Sequence, residues 1–221
     1  MLQNYIIFDV DDTLLETFRN SYAIFCEIAN FYQCWKIDQQ EFLEQYMKWN
    51  FSNNLIHFFG NIVSLDESTK IYEDFKKRFP KKKLINIQYL ESLLKMGYKI
   101  WILTNWPELK TSDKLKYLWI DWLCSLVFHE WNIHYKKPES KVFNDVYSVI
   151  WTKKVSIIYI GDALVDYFAT VNTNVMFYAV LTGYTTKGDF LKVGVDKTKI
   201  YENINILLAD LIKENAWGNA W

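Results

Sequence analysis

The chain has 221 residues, 51% of them hydrophobic, enough for a substantial core and compatible with one large domain or a core carrying an insert. With 25 Lys and Arg against 26 Asp and Glu, the formal net charge is -1, which argues against a dedicated nucleic-acid binder and favours small-molecule chemistry. No apolar run approaches the roughly 18 residues of a membrane span, the first residues do not read as a secretory leader, and Cys26, Cys34 and Cys124 lack paired spacing, so a cytoplasmic protein with reduced, mostly buried thiols is expected.

Residues 5–8, Tyr-Ile-Ile-Phe, form a short apolar run of aromatic and β-branched side chains, the pattern of a strand buried on both faces of a parallel sheet. Three carboxylates follow at once: Asp9, Asp11 and Asp12. Adjacent like charges repel and desolvated carboxylates are costly, so the cluster calls for a cation. Open α/β sheets place ligands at the carboxyl ends of their strands, which makes this loop the natural place for a metal and a substrate. In extended chain a residue and its i+2 neighbour point to the same side, so Asp9 and Asp11 can converge on one reacting centre.

Phe18, Tyr22, Phe25, Ala29 and Tyr32 recur at steps of four and three and predict an amphipathic helix over 16–34. A second helix is expected to start at Asp38, with Glu41 completing a capping-box pattern and Phe42, Leu43, Tyr46, Met47 and Trp49 on the apolar side. Helical stretches at 54–63 and 66–79 follow, and Pro80 with Lys81, Lys82 and Lys83 reads as a solvated connection. No strand is expected in this part of the chain.

Beyond it, helix and strand alternate. Residues 87–96 read as a helix stopped by Gly97, and 98–103 as a buried strand ending in Thr104 and Asn105. A helix near 112–118 leads to an apolar stretch at 123–128, and Tyr135-Lys136-Lys137-Pro138 precedes a helix over 139–150. A strand over 155–160 ends in Gly161-Asp162, and a helix over 163–171, a strand over 175–181 and a helix over 203–213 complete a βαβ series. The expected fold is α/β: a Rossmann-like parallel sheet covered by helices, with a small all-helical insert after the first strand.

Three predicted strands thus end in polar residues, and a parallel sheet gathers them at one edge with Lys137. Taken in order, Asp9-Val10-Asp11-Asp12-Thr13-Leu14, Ile102-Leu103-Thr104-Asn105, Lys136-Lys137-Pro138 and Ile160-Gly161-Asp162 with Asp166 resemble the four motifs of the haloacid dehalogenase superfamily, over nearly the whole chain. The resemblance implies that Asp9 attacks phosphorus to form an aspartyl-phosphate while Asp11 serves as proton donor and then acceptor. It implies Mg²⁺ held by Asp9, Asp162 and the Asp11 backbone carbonyl. Lys137 would neutralise the phosphoryl group and keep Asp9 ionised, the Thr104 hydroxyl and Asn105 N–H would contact phosphate oxygens, and Asp166 would orient Lys137 or a metal-bound water. Asp12, where many relatives carry Gly, reads as a local cap, and Ala163 stands where Ser is frequent. Asp11 is absent from members that act on haloacids, so its presence favours phosphate chemistry.

The helical insert resembles the cap of subgroup I, the type seen in phosphoglycolate phosphatases and β-phosphoglucomutases. This implies a core of residues 1–15 and 84–221 and a cap of 16–83 that excludes water and contacts the leaving group. Arg19, Asn20 and Trp106 are candidate substrate contacts, with salt bridging and packing as the alternative roles. His57, His129 and His134 lack metal-ligand spacing and read as core or surface residues, while Trp217 and Trp221 in the tail are left open. The implied function is a Mg²⁺-dependent phosphatase for a small phosphomonoester, monomeric or homodimeric, with no nucleic-acid or membrane partner. A phosphomutase would share every core residue. A catalytically retired binding or regulatory protein is the reading of another class, and retention of Asp9, Asp11, Thr104, Lys137, Asp162 and Asp166 argues against it.

Overall fold

The computed structural model describes residues 3–48, 51–152 and 154–218, without the side chains of 47, 48 and 215–218. The expectations for Met47, Trp49, Trp217 and Trp221 therefore lie outside the described residues. In chain order the elements are β1 (Gln3–Phe8), α1 (Phe18–Phe31), α2 (Gln39–Lys48), α3 (Phe51–Phe59), α4 (Leu65–Arg78), α5 (Ile87–Lys95), β2 (Lys99–Leu103), α6 (Glu108–Leu118), β3 (Leu126–Phe128), α7 (Val142–Ser148), β4 (Val155–Gly161), α8 (Leu164–Thr170), β5 (Val175–Val180), α9 (Lys187–Lys192), a 3₁₀ turn (Lys197–Lys199), β6 (Ile200–Tyr201) and α10 (Ile204–Gly218). They form two compact units, Met1–Glu16 with Lys83–Trp221, and Thr17–Lys82.

The first unit holds a six-stranded sheet in the order β3-β2-β1-β4-β5-β6, and every pairing is parallel. β1 is central, with Phe8 level with Ile102 of β2 and Ile160 of β4. Strand side chains alternate between the two faces, so both must be apolar in a sheet covered on both sides. Ile6, Phe8, Ile102 and Ile160 pack with Leu90 and Leu93 of α5 and Leu207 and Leu208 of α10. Tyr5, Ile7, Leu103 and Tyr159 pack on the opposite side with Phe143 and Val146 of α7 and Phe190 of α9. Leu84 N donates to Leu14 O at 2.9 Å, which ties together the two chain segments that flank the insert.

Several boundaries differ from the sequence expectation. α6 begins four residues before the expected 112, directly after Pro107, which stands at its N-cap in extended conformation. The helix expected over 139–150 is only Val142–Ser148, because Glu139 N, Val142 N and Phe143 N bond three residues back to Lys136 O, Glu139 O and Ser140 O, making turns. β6 and α9 escaped the sequence reading. β6 has two residues, too short for a periodicity, whereas α9 carries a recognisable start signal in Thr186 and Asp189, which form a capping box. Gly97 stops the α5 segment at φ 86, a left-handed conformation suited to glycine.

The second unit is all helical. Asp38 caps α2 as expected, accepting from Gln40 N and Glu41 N, but the Glu41 carboxylate pairs with His57 at 3.3 Å. Ser64 caps α4 through Glu67 N, and Lys76, Lys77 and Arg78 sit in its last turn, where cations complement the helix dipole. Phe25 is the hub of the aromatic core, its ring centroid 5.0 Å from that of Phe42, 5.7 Å from Phe58, 5.6 Å from Phe59 and 5.9 Å from Tyr72. Among the described residues no helix is long and apolar enough to cross a membrane. Phe25 is 1% exposed, so Phe25→Ala should cost about 3–5 kcal/mol in a denaturant titration, a cavity cost that neighbouring rings cannot close.

Candidate active site

The site is built where apolar strands give way to polar residues at one edge of the sheet. Asp9 follows β1 and its N–H still donates to Ile160 O at 2.9 Å, Thr104 follows β2 and donates to Phe128 O at 3.0 Å, and Asp162 follows β4. After Asp9 the chain turns tightly: Leu14 N and Leu15 N both bond Val10 O, and Asp12 N bonds Leu15 O. Asp12 has φ 54, in the left-handed region that Gly, Asn and Asp tolerate best, which accounts physically for an Asp at this turn.

At the centre is the Lys137 ammonium, its side chain 3% exposed. It donates to Asp9 Oδ1 at 2.7 Å, Asp166 Oδ1 at 2.6 Å and the Tyr159 hydroxyl at 2.9 Å, using all three of its N–H bonds. The Tyr159 hydroxyl donates to Asp166 Oδ1 at 2.8 Å, and Asp166 Oδ2 accepts from Ala163 N at 3.1 Å. Asp166 is thus an orienting group whose two oxygens are already engaged. Asn105 clamps the Lys137 peptide: its Nδ2 donates to Lys137 O at 2.9 Å and its Oδ1 accepts from Lys137 N at 3.0 Å. The sequence assigns Asn105 only a backbone contact, and Tyr159 carries no signal that separates it from core aromatics such as Tyr5 of β1 and Trp101 of β2.

Acids outnumber bases here. Asp9, Asp12, Asp162 and Asp166 are all buried, and Lys137 is the one buried lysine among the described residues. Burial drives the Asp9 carboxyl up, Lys137 pulls it down, and Asp166 and Asp11 push it up again, leaving it at about 7. Burial lowers Lys137, but Asp166 and Asp9 more than reverse this and hold the ammonium charged. Asp162 is raised well above the carboxylate range by burial and then by Asp12, Asp166 and Asp9, against a 2.9 Å hydrogen bond from Thr13. One oxygen each of Asp9, Asp162 and Asp166 lie within 4.8 Å of one another. An excess of buried carboxylates at this spacing is the donor set a hard divalent cation requires, so the residues fit Mg²⁺, with Asp9 and Asp162 the pair not already saturated by protein donors.

The loop after β5, which sequence reasoning did not include, completes this pocket. Thr182 Oγ1 donates to Asp12 O. Gly183 is pressed on Asp162, where an added Cβ would lie 1.9 Å from Oδ2, and Gly161 is pressed on Asp166, with a Cβ 2.5 Å from its carboxylate. The Tyr184 hydroxyl is held protonated far above its usual range by burial and by Asp162 and Asp166.

Asp11 is engaged in an unexpected way. Lys114 Nζ, on α6, lies 2.7 Å from Asp11 Oδ1 and 2.6 Å from Oδ2. The same ammonium is 4.6 Å from the centre of the Trp106 ring, and that of Lys110 is 4.9 Å from it. Thr104 is 1% exposed and its Oγ1 accepts from Trp106 N at 3.3 Å.

The other candidates lie elsewhere. Asn20 is a structural residue of the helical unit, its Nδ2 donating to Phe79 O at 2.7 Å, and Arg19 is exposed on α1. His129 is buried, with Glu108 3.9 Å away, and His134 bonds Asp145 at 2.7 Å on the surface. All three cysteines are free, and they are half-buried rather than buried.

The model of the haloacid dehalogenase-like hydrolase family matches residues 6–180. No curated protein matches at a significant level. Among solved structures, the fold is shared with a protein assigned as a β-phosphoglucomutase from Thermotoga maritima (16% identity, TM-score 0.74, covering 96% of this chain and 99% of that one). It is also shared with one assigned as a phosphoglycolate phosphatase from Haemophilus somnus (18%, 0.69, 96% and 97%) and one assigned as a phosphatase from Clostridium difficile (20%, 0.66, 96% and 99%). The family match spans β1 through β5 and so takes in Asp9, Thr104, Lys137 and Asp162; the chain belongs to the haloacid dehalogenase-like hydrolases.

Proposed function

We propose that this protein is a Mg²⁺-dependent phosphatase that hydrolyses a small phosphomonoester in the cytoplasm through an aspartyl-phosphate on Asp9. The observation that carries the reading is the buried Lys137–Asp9 pair beside Asp162, a carboxylate held next to one fixed cation within a cluster that needs a second. The names given to two of the structural relatives, phosphatases both, agree with it. The division into a core of 1–15 with 84–221 and a cap of 16–83, with Arg19 and Trp106 as substrate contacts, is part of the same proposal.

In this mechanism Lys137 occupies Asp9 Oδ1, which leaves Oδ2 as the attacking oxygen. The new bond runs from Asp9 Oδ2 to phosphorus as the ester oxygen departs with a proton from Asp11, and Asp11 then accepts a proton from the water that cleaves the acyl phosphate. The Lys137 ammonium and the Thr104 hydroxyl stabilise charge on the phosphoryl oxygens, and Asp166 and Tyr159 keep the ammonium in place. Asp9, Asp162 and the Asp11 carbonyl would hold Mg²⁺, which when bound supplies charge neutralisation between nucleophile and phosphate.

Phosphate release from a panel of phosphomonoesters should require Mg²⁺ and fall by about three orders of magnitude or more in Asp9→Asn; a wild type inert on every ester, or a variant as active as wild type, would sink the reading. Transfer of the phosphoryl group to a second sugar phosphate instead of water would point to a mutase. The pH dependence of stability follows from the buried acids. Asp9 is raised from its ordinary 3.8 to about 7, so in metal-free protein the folded state binds the proton more tightly than the unfolded state, and the resulting stability is lost as pH rises through about 7. Thermal melts of metal-free protein should therefore fall in midpoint from about pH 5 to pH 8, while the stabilisation conferred by Mg²⁺ grows over the same range. Gly183→Ala must displace the Asp162 carboxylate and should weaken Mg²⁺ binding, measured by calorimetry, by about 10–100-fold.

A further inference from the structure

The phosphatase reading makes Trp106 a substrate contact without naming the group it meets, and leaves Lys110 and Lys114 beside that ring without a role. They fall at steps of four along the chain, and helix α6 from Glu108 places Lys110 and Lys114 one above the other on one side. Both ammonium groups lie within 5 Å of the centre of the Trp106 ring, hence within about 10 Å of each other, no more than a screening length at ~0.1 M salt. Only one carboxylate answers them. Lys114 has Asp11, and among the described residues Lys110 has no acid within ion-pair distance. Trp106 is 37% exposed and the Lys114 side chain is 12% exposed, so the ring presents an open surface next to a largely desolvated charge. A pair needed only to neutralise Asp11 would take one lysine and no aromatic ring.

We propose that Trp106, Lys110 and Lys114 receive a second anionic group, a carboxylate or second phosphate, on the leaving part of the substrate, and that this anion draws Lys114 away from Asp11. The inference rests on the phosphatase reading and narrows it to phosphomonoesters with a charged leaving group. Lys114 is a positioning residue in this scheme: with both oxygens on its ammonium, Asp11 cannot also turn to the leaving oxygen, and an arriving anion offers the ammonium a replacement partner. Charge-assisted hydrogen bonds of this kind are strong enough to redistribute a partly buried lysine between two anions.

The test uses the Mg²⁺-loaded full chain and two matched pairs of probes. Non-hydrolysable 4-phosphonobutyrate and propane-1,3-bisphosphonate are compared with butylphosphonate by calorimetry, and 2-carboxyethyl phosphate is compared with propyl phosphate by phosphate release. Wild type should bind one of the probes that carry a second anionic group at least about tenfold more tightly than butylphosphonate, and whichever leads tells carboxylate from second phosphate. Lys114→Met and the exposed Lys110→Met should each shrink that preference, and Lys114→Arg should keep it. Equal affinity for all three phosphonates in wild type overturns the proposal, as does a Lys114→Met variant that loses the same factor on both esters, the mark of a merely structural ion pair. Discrimination among phosphonates with no hydrolysis of any ester would support the anion site and refute the phosphatase reading.

Discussion

A single buried ammonium makes the rest of the site possible. Lys137 enters from the loop before α7, yet each of its acceptors belongs to a different element: Asp9 after β1, Tyr159 within β4 and Asp166 on α8. Removing an isolated charge from water is expensive, and here the cost is offset only because three oxygens converge on the nitrogen and each is itself held. Asn105 adds a second constraint by fixing the main chain of Lys137 from both sides of its peptide unit. The arrangement is reciprocal. Without the ammonium, the carboxylates could not be charged so close together, and without the carboxylates the lysine would leave the interior.

That balance also explains why the glycines at Gly161 and Gly183 are tied to chemistry and not to backbone freedom. Each gives up its Cβ volume to an aspartate side chain, Asp166 in one case and Asp162 in the other. The backbone thereby approaches the carboxylates closely and seals them from one side; at Asp162 the burial raises the proton affinity and leaves a compact cation of high charge density as the effective competitor for the proton.

The parts of the structure legible in sequence are those with a local signature. β1, β2, β4 and β5 announce themselves as apolar runs because both sheet faces are covered, and Asp9, Thr104 and Asp162 are marked by the abrupt polar residue that ends each run. The family match and the parallel sheet accord with the α/β reading made from these patterns. What stayed hidden is what depends on partners far along the chain. Tyr159 looks like one more core aromatic until its hydroxyl is seen 22 residues from Lys137 in sequence and 2.9 Å away in space. Lys114 reads as a solvated helix residue, since nothing nearby in sequence reveals that Asp11 lies 103 positions earlier. Gly183 and Thr182 gave no sign because their role is defined by Asp162 and Asp12, which reach them only once β5 is docked.

The strand order has a consequence for how the molecule comes into being. β1 is made first but lies in the middle of the sheet, between β2 and β4. On a growing chain it emerges with both hydrogen-bonding edges bare, and its neighbours arrive only after the helical segment Thr17–Lys82 and, for β4, after β2, β3 and α7 as well. Thr13 waits 149 residues for Asp162, so the acidic pocket cannot exist on a nascent chain until β4 and Asp162 have been made. Parallel pairings between such distant segments are slow to form, since loop closure precedes any reward from contact. The helices of Thr17–Lys82, with the Phe25 cluster at their centre, have their partners close in sequence and can pack with one another while β1 still waits for its neighbours.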